Sequence, residues 1–520
     1  MLDLRPQIVA ADARQFRGKL ALPSSRGWRT TAIVASFVVA LGLACCAVAA
    51  PAAGTSAEPP TVMRPLQRSV MKQLNAVRRQ HGLLPLRVAA GLAAAARGGG
   101  ASSAAPRSTF YVDGSTARCS DSTRSGSKAE PFCRIGAAAA RASAGVTVKV
   151  AAGIYRERVV VRASGTGAKP IVFSPVRGAT VLITGQKNGF SINGVSWIHV
   201  NGFTITHTGE YGISVSHASH VTLSNNRVRY AGQPSKGRAK YGIRLGDVTR
   251  SLVVGNTVDH NTNAGIALVD GSTHNEITGN HSFGNAKLFE RAASGIRMYA
   301  SPENTVSRNV TRNNEDSGIE LDRSDGNIIS NNVSYRNGDH GVDVTGDSHE
   351  TRVLANTIYA NVTAGINVEG GSTGTTVANN ISVQNGVDSP RTASNIRVDA
   401  TSAPGTSLDY DVVHVDGGRE LLLIWNSVGY SSLALFQLTT GQELHGLDVD
   451  PRWKDRAAGN FHLTARSPAI DSATSAVRRQ PRADINGKRR TDDPATPNTG
   501  VGPRLYDDRG AFEYRPSRSH

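Results

Sequence analysis

The chain has 520 residues, of which 5% are aromatic and 54 are glycine, and its formal net charge is +17 at pH 7. That length and charge suggest about three domains and a polyanionic partner. Residues 1–108, however, hold 14 Lys and Arg against 3 Asp and Glu, so +11 of the charge lies there and +6 remains for the rest. This distribution argues against a folded basic surface, and we expect no nucleic-acid partner.

The amino terminus has the pattern of an export signal. Residues 32–50 form an apolar run interrupted by Ser36, with Arg26 and Arg29 before it and small residues at its end. This pattern predicts a secretion signal, although a run of this length also just spans a bilayer. We therefore expect residues 1–50 to be a signal peptide or a membrane anchor, and the protein to be secreted or held in the cell envelope. Any membrane contact is expected through this segment alone.

Residues 51–108 form an Ala/Gly/Pro-rich linker that contains one apolar stripe at helical spacing. Within it, residues 73–86 and 91–97 resemble the opening helices of bacterial CAP-superfamily domains. The chain then turns into Gly/Ser/Ala linker, so the remainder of such a domain is missing. The resemblance implies a truncated fragment without activity of its own, or a small docking helix.

Two cysteines, Cys119 and Cys133, follow the export segment. In an oxidising compartment a pair this close in sequence is expected to form one disulfide, and the sequence offers no metal-type cysteine cluster that would compete.

A repeat governs the central part of the chain. Its first element is Gly-apolar-x-apolar, which begins at Gly212, Gly242, Gly265, Gly295, Gly318, Gly341 and Gly365, with Asn395 in the last place. Its second element is a β-branched run that ends in an Asn 14 or 15 residues after each Gly, namely Asn226, Asn256, Asn280, Asn309, Asn332, Asn356 and Asn380. Such runs predict short strands.

A coil of about 23 residues with short strands predicts a right-handed parallel β-helix, a single-stranded solenoid of about ten coils whose stacked neighbours bury the inner face. Asn side chains stacked at one turn are expected to hydrogen-bond to one another. We assign residues 109–407 to this all-β domain. Residues 408–520 are assigned to a carboxy-terminal capping region and tail, and we expect a monomer.

Both ends of this domain resemble secreted bacterial β-helix proteins of the pectate-lyase-like superfamily. The resemblance is carried by residues 110–113, 131–135 and 146–157 at the entry and by residues 450–453 and 510–514 in the tail. It implies the fold and a helix capping the first coil. It leaves the reaction open, because the superfamily contains lyases, hydrolases, epimerases and inert adhesins.

The long connections all fall in one arm of the coil, so they are expected to build walls beside one face. The two walls are residues 283–292 and 384–392, and the coils between them begin at Gly318, Gly341 and Gly365. This spacing predicts a groove across those coils, where function is expected.

Outward-facing residues of neighbouring coils are about 4.8 Å apart, which crowds several carboxylates together. Such a patch needs a hard cation or a carboxyl with a raised pKa. We predict catalytic roles for Arg297, Glu320 and Asp343. Substrate binding is predicted for Arg244, Tyr299, His340, Asn367 and Arg397, and metal binding for Asp316, Asp322, Asp339 and Asp343.

Two strings, at residues 339–343 and 316–320, resemble the calcium-binding Asp-Asp-Gly-x-Asp motif of one family of β-helical pectate lyases. The resemblance implies Ca²⁺ bound to the substrate uronate and β-elimination by a cationic base. That family uses a Lys, whereas the equivalent face here offers Asn367, and Arg297 is the nearest candidate base.

The leading hypothesis is therefore a calcium-assisted lyase of an acidic, uronate-containing polysaccharide or cell-wall glycan. Two alternatives stay open. One is a non-catalytic carbohydrate-binding or adhesin-type protein of the cell envelope, which the missing Lys favours. The other is a metal-free glycoside hydrolase that uses Glu320 and Asp343 as its acid and base.

Overall fold

The computed structural model of the chain describes residues 108–232, 240–286, 293–387, 389–417 and 420–516. The predicted export signal, the linker and the CAP-like fragment lie outside these residues, apart from Ser108. Within the described ranges no helix combines the length and apolar character that crossing a bilayer requires.

The described chain winds through three long sheets, each coil supplying one strand to each sheet in turn. Strands that come from successive coils pair in parallel in each sheet. One of the three sheets has 11 strands, one per coil, against about ten predicted. Short coils of this kind bury an inner face only by stacking, which explains why the repeat and the fold occur together.

The strands of sheet 1 are Thr109–Val112, Thr147–Val150, Ile171–Pro175, Ile198–Asn201, Thr222–Ser224, Leu252–Val254, Glu276–Thr278, Thr305–Ser307, Ile328–Ser330, Arg352–Leu354, Thr376–Ala378 and Ser407–Asp409. The strands of sheet 2 are Gly153–Tyr155, Val181–Thr184, Thr204–Thr206, Arg227–Arg229, Thr257–Asp259, His281–Phe283, Val310–Arg312, Val333–Tyr335, Thr357–Tyr359, Ile381–Val383 and Val412–His414. The strands of sheet 3 are Val159–Val161, Phe190–Asn193, Ile213–Ser219, Ile243–Thr249, Ile266–Val269, Ile296–Tyr299, Ile319–Asp322, Val342–Thr345, Ile366–Val368, Ile396–Val398, Leu423–Trp425 and the antiparallel Val428–Tyr430.

A short helix, α1 (Ile135–Arg141), caps the amino-terminal end of the solenoid as predicted. Its buried residues Ile135 and Ala138 pack into the core. Glu157 accepts hydrogen bonds from the backbone N–H groups of Ile135 and Gly136 at 2.7 and 2.8 Å, so its carboxylate satisfies donors that the first helical turn leaves free. The predicted disulfide between Cys119 and Cys133 is present beside this cap.

The solenoid continues beyond residue 407, where the sequence analysis placed its end. Strands Ser407–Asp409, Val412–His414 and Leu423–Trp425 add one more coil. A second helix, α2 (Leu433–Thr440), then covers the open end with its buried Phe436. Covering this end shields edge strands that would otherwise pair with another chain.

The tail returns along sheet 2. Its hairpin, Trp453–Asp455 and Asn460–Leu463, packs Phe461 against Tyr335 and Tyr359 at ring separations of 5.2 and 5.5 Å. Sheet 3 is therefore a separate face from the one that the tail covers.

Two long ladders of buried asparagines run along the described coils. The predicted one joins the Asn column from Asn226 to Asn380, each amide donating to the next at 3.0 Å, and ends on Asp411 at 2.8 Å. A second ladder, which the sequence analysis missed, runs from Asn261 to Asn395. The ladders pair polar groups that are costly to bury alone.

Candidate functional site

The predicted column of outward residues is present on sheet 3. Strand pairing places Arg297 opposite Glu320, Glu320 opposite Asp343, Asp343 opposite Asn367 and Asn367 opposite Arg397. The side-chain period of two along each strand fixes this register, because a slip of one residue would turn the apolar neighbours outward. Five predicted site residues therefore lie side by side on consecutive coils.

The amino-terminal end of the column is an ion-pair cluster. Arg297 Nη2 lies 3.3 Å from Glu320 Oε1 and 3.8 Å from Asp322 Oδ2. Glu320 is 8% exposed and also accepts a hydrogen bond from Ser294 Oγ at 2.6 Å. Burial raises the pKa of Glu320, and the Arg297 guanidinium partly offsets that rise.

Tyr299 and Asp322 form the next outward pair on the same two strands. The guanidinium carbons of Arg297 and Arg323 lie 5.7 and 4.5 Å from the Tyr299 ring centre. Asp322 accepts a hydrogen bond from Arg323 Nε at 3.2 Å. Tyr299 therefore packs under two cations, and Asp322 already has cationic partners.

Asp316 and Asp339 lie in the turns that lead into the strands, on adjacent coils. Burial, the nearby Glu320 and Asp339 carboxylates and a hydrogen bond with the Asp339 side chain raise the pKa of Asp316 to about 8. Asp339 Oδ1 accepts a hydrogen bond from Thr363 Oγ1 at 2.5 Å and lies 3.1 Å from Arg391 Nη2. Arg391 belongs to the predicted wall at 384–392, so that wall reaches the acidic patch.

Asp343 is the central acid of the column. Its Oδ1 accepts a hydrogen bond from Asn367 Nδ2 at 2.8 Å. Burial, with the Glu369 carboxylate nearby, raises the pKa of Asp343 well above its usual range. The buried His340 lies close by, and burial lowers its pKa so that the neutral imidazole is favoured.

At the other end of the column, Arg397 donates to Asn367 Oδ1 at 2.7 Å and to Glu369 Oε2 at 2.6 Å. Arg244, which we predicted to bind substrate, is separated from this group because Ala267 lies between it and Arg297 in the register. It pairs instead with Asp270 at 2.5 Å.

The four predicted metal ligands share this face without converging on one point. Asp322 is turned toward Arg297 and Arg323, and Asp316 toward Asp339. Among the described residues, the His, Cys, Asp and Glu group whose ligand atoms all lie within 4.8 Å of one another is His340, Asp343 and Glu369. The predicted set of carboxylates therefore does not fit a single Ca²⁺ ion as arranged.

Several residues of this site are not among those predicted from the sequence. Tyr241 precedes Gly242 as His340 precedes Gly341, and its raised pKa comes from burial, with Arg297 and Glu320 among the charges it senses. Tyr211, one coil earlier, stacks on Tyr241 at 5.9 Å. The residue before each repeat Gly was therefore an available signal. Glu369 lies in the outward column of Asp322 and was not selected.

A separate cavity of about 650 Å³ lies at the amino-terminal cap. Its lining includes the basic residues Arg118, Lys128, Lys149 and Arg177 and one carboxylate, Asp113. It lacks the paired acids and histidine of sheet 3, so the sheet 3 face is the better candidate for catalysis.

The chain is similar to several known proteins. A family model described as the right handed beta helix region matches residues 188–288 and 239–382. The uncharacterized protein YwoF of Bacillus subtilis (strain 168) is 25% identical over 435 residues, which is 66% of this chain and 89% of that protein.

Two solved structures are also similar. Pectate lyase Pel9A has a TM-score of 0.49 at 16% identity, over 78% of this chain and 96% of its own. The periplasmic alginate epimerase AlgG has a TM-score of 0.35 at 18% identity, over 54% of this chain and 76% of its own. With the three parallel sheets and the match to the β-helix family model, the chain has the right-handed parallel β-helix fold that its repeats predict.

Proposed function

We propose that the chain binds an acidic, uronate-containing polysaccharide along sheet 3 and cleaves it as a lyase. The observation that supports this most directly is the column Arg297, Glu320, Asp343, Asn367 and Arg397, in which guanidinium groups lie at both ends of a stretch of acids. A face with a cation at each end and proton-carrying acids between them suits a polymer that carries one carboxylate per sugar.

Lyase chemistry needs a cation against the substrate carboxylate, a base for the proton on the adjacent carbon and an acid for the leaving oxygen. From the sequence, Arg297 is the predicted base. In the structure its guanidinium lies 3.3 and 3.8 Å from the carboxylates of Glu320 and Asp322 and forms ion pairs with them. In the proposal Arg297 therefore binds the uronate carboxylate, for which its planar fork is suited.

In the proposal Asp316 and Tyr241 supply the proton transfers, since the charge of Glu320 helps to raise the pKa of each. Asp316, whose carboxyl is ionised above its pKa of about 8, takes the proton from the carbon beside the uronate carboxylate at alkaline pH. The electron pair of that C–H bond forms the new double bond, and the C–O bond to the leaving sugar breaks. The phenol of Tyr241, whose pKa is raised, gives its proton to that oxygen.

Calcium assistance remains a prediction of the sequence resemblance. Because Asp316, Asp322, Asp339 and Asp343 do not converge, no step above passes through Ca²⁺. Export remains a proposal as well. It is supported by the disulfide between Cys119 and Cys133, since such bonds persist in oxidising compartments.

The test is incubation of the purified protein with pectate, alginate and glycosaminoglycans, with and without Ca²⁺ and chelator, while ultraviolet absorbance follows unsaturated products. We expect absorbance to rise on one of these polymers. Asp316→Asn and Tyr241→Phe are expected to lose most of the rate, whereas Asp347→Asn, in a turn beyond the column, keeps it. Reducing ends without unsaturation would replace the proposal with hydrolysis, and binding without any product would replace it with an adhesin role.

A further inference from the structure

The hydrogen bonds around His340 determine which ring nitrogen carries its proton. Thr363 Oγ1 lies 2.5 Å from Asp339 Oδ1 and 2.8 Å from His340 Nδ1. A threonine hydroxyl has a single hydrogen, and the Asp339 carboxylate can only accept, so that hydrogen goes to Asp339. His340 Nδ1 must then donate to Thr363, with Ala364 O a second acceptor at 3.3 Å.

The other nitrogen, Nε2, is left with a free electron pair on a side chain that is itself buried. His340 is 5% exposed, and Asp339 Oδ1, itself an acceptor, lies 3.5 Å from Nε2. The ligand atoms of His340, Asp343 and Glu369 all lie within 4.8 Å of one another. An electron pair that faces carboxylates calls for a positive charge between them.

The carboxylates of Asp343 and Glu369 each accept a hydrogen bond on one oxygen, which leaves the other oxygen for a further partner. Among the described residues, Asn367 donates to Oδ1 of Asp343 and Arg397 donates to Oε2 of Glu369. Oδ2 of Asp343 and Oε1 of Glu369 remain. Outer hydrogen bonds of this kind, including the one from His340 Nδ1, orient the ligands of protein metal sites.

We propose that His340 Nε2, Asp343 and Glu369 bind one divalent transition-metal ion, of the Zn²⁺ or Mn²⁺ class. Ca²⁺ prefers oxygen ligands alone, whereas imidazole nitrogen suits first-row transition metals. His340 stands where the calcium motif that this string resembles has its second Asp, which changes the donor set. Ligand atoms about 2.1 Å from one ion are at most about 4.2 Å apart, and the three residues have ligand atoms within 4.8 Å of one another, so the side chains must move closer together to share an ion.

This inference stands apart from the proposed lyase activity, because metal binding is measured without polysaccharide. The full-length protein is stripped with chelator and titrated with ZnCl₂ in a calorimeter. We expect one site that weakens at least about tenfold in His340→Ala and in Glu369→Gln. His349→Ala is the matched control, since His349 has a similar 2.9 Å contact with Thr373 Oγ1 on another part of the coil.

Zn²⁺ binding that is equal in the native protein and His340→Ala would overturn the proposal, as would a native affinity weaker than about 1 mM. His340→Asp gives a second test, because it restores an all-oxygen donor set. We expect that variant to lose Zn²⁺ affinity and gain Ca²⁺ affinity, with circular dichroism verifying its fold. Tighter binding of Ca²⁺ than of Zn²⁺ by the native protein would also contradict the assignment.

Discussion

Arg297 and Glu320 face each other on adjacent strands of sheet 3, with Arg297 Nη2 3.3 Å from Glu320 Oε1. Glu320 is 8% exposed, so the guanidinium is the charge that compensates a buried carboxylate. Arg244 occupies the same column, but its partner Asp270 has a side chain that is 62% exposed. Two arginines on one face therefore have different energetic roles.

The first prediction compares these arginines. Arg297→Ala leaves Glu320 buried without its cation and is expected to lower the free energy of unfolding by about 1–3 kcal/mol. Arg244→Ala removes a pair with an exposed partner, and a loss of under about 1 kcal/mol is expected. Urea unfolding at pH 8 measures both, and equal losses would contradict the difference in role. The effect of Arg297→Ala is expected to shrink as the pH is lowered, because burial raises the pKa of Glu320 and its protonated form needs no cation.

The second prediction concerns Asp471 in the tail, a fully buried carboxyl whose Oδ1 has no hydrogen-bond partner. Burial raises its pKa from 3.8 to about 7, and the nearby carboxylates Asp492, Glu513 and Asp493 add to the rise. A carboxyl with a raised folded-state pKa favours folding below its unfolded pKa. That contribution is lost as pH rises toward the folded pKa.

Stability is therefore expected to fall between about pH 4 and pH 7, and Asp471→Asn should flatten that part of the profile because its side chain does not titrate. Thermal unfolding across this range measures it. Asp455→Asn, on the exposed hairpin, is the control and should leave the slope unchanged. If Asp471→Asn kept the native dependence of stability on pH, other carboxyls would be responsible for it.

The third prediction concerns the asparagine ladder. Asn332 Oδ1 accepts from the N–H and Nδ2 of Asn309, and its own Nδ2 donates to Asn356. Asn332→Ala leaves these buried groups without hydrogen-bond partners and is expected to lower the free energy of unfolding by about 2–4 kcal/mol. The exposed Asn498→Ala is the control, with a change within about 0.5 kcal/mol. A small effect at Asn332 would mean that water replaces the missing amide.

The fold was readable from the sequence because the Gly and Asn columns repeat at nearly constant spacing. The Gly column is a packing requirement, since a Cβ on Gly318 would lie 2.0 Å from Ser334 Oγ. The second asparagine ladder was equally readable, because Asn261 follows Asn256 by five residues and the same offset recurs coil after coil.

For the site, the sequence predicted only the register of the strands. Strand spacing correctly placed Glu320 beside Asp343, but it did not say where the side chains turn. Asp322 turns to Arg297 and Arg323, and Arg391 reaches Asp339 from a connection outside the repeat. Such choices depend on local charges and on loops whose conformation the repeat does not constrain.

The last prediction tests whether the aromatic pair beside the acids contacts substrate. Tyr211 and Tyr241 stack with ring centres 5.9 Å apart, and Lys240 Nζ and the Arg244 guanidinium carbon lie 5.7 and 5.8 Å from the Tyr211 ring. Flat apolar rings beside cations suit a charged sugar. Tyr211→Ala is expected to raise KM for the polysaccharide about tenfold with a smaller change in kcat, because Tyr211 takes no part in proton transfer.

Tyr211→Phe keeps the ring and is expected to keep KM near the native value, which separates stacking from hydrogen bonding. Steady-state kinetics on the polymer that gives product measures both variants. A fall in kcat with unchanged KM in Tyr211→Ala would instead mean that Tyr211 positions Tyr241 for catalysis, since loss of the stacked neighbour would then act on the chemical step alone.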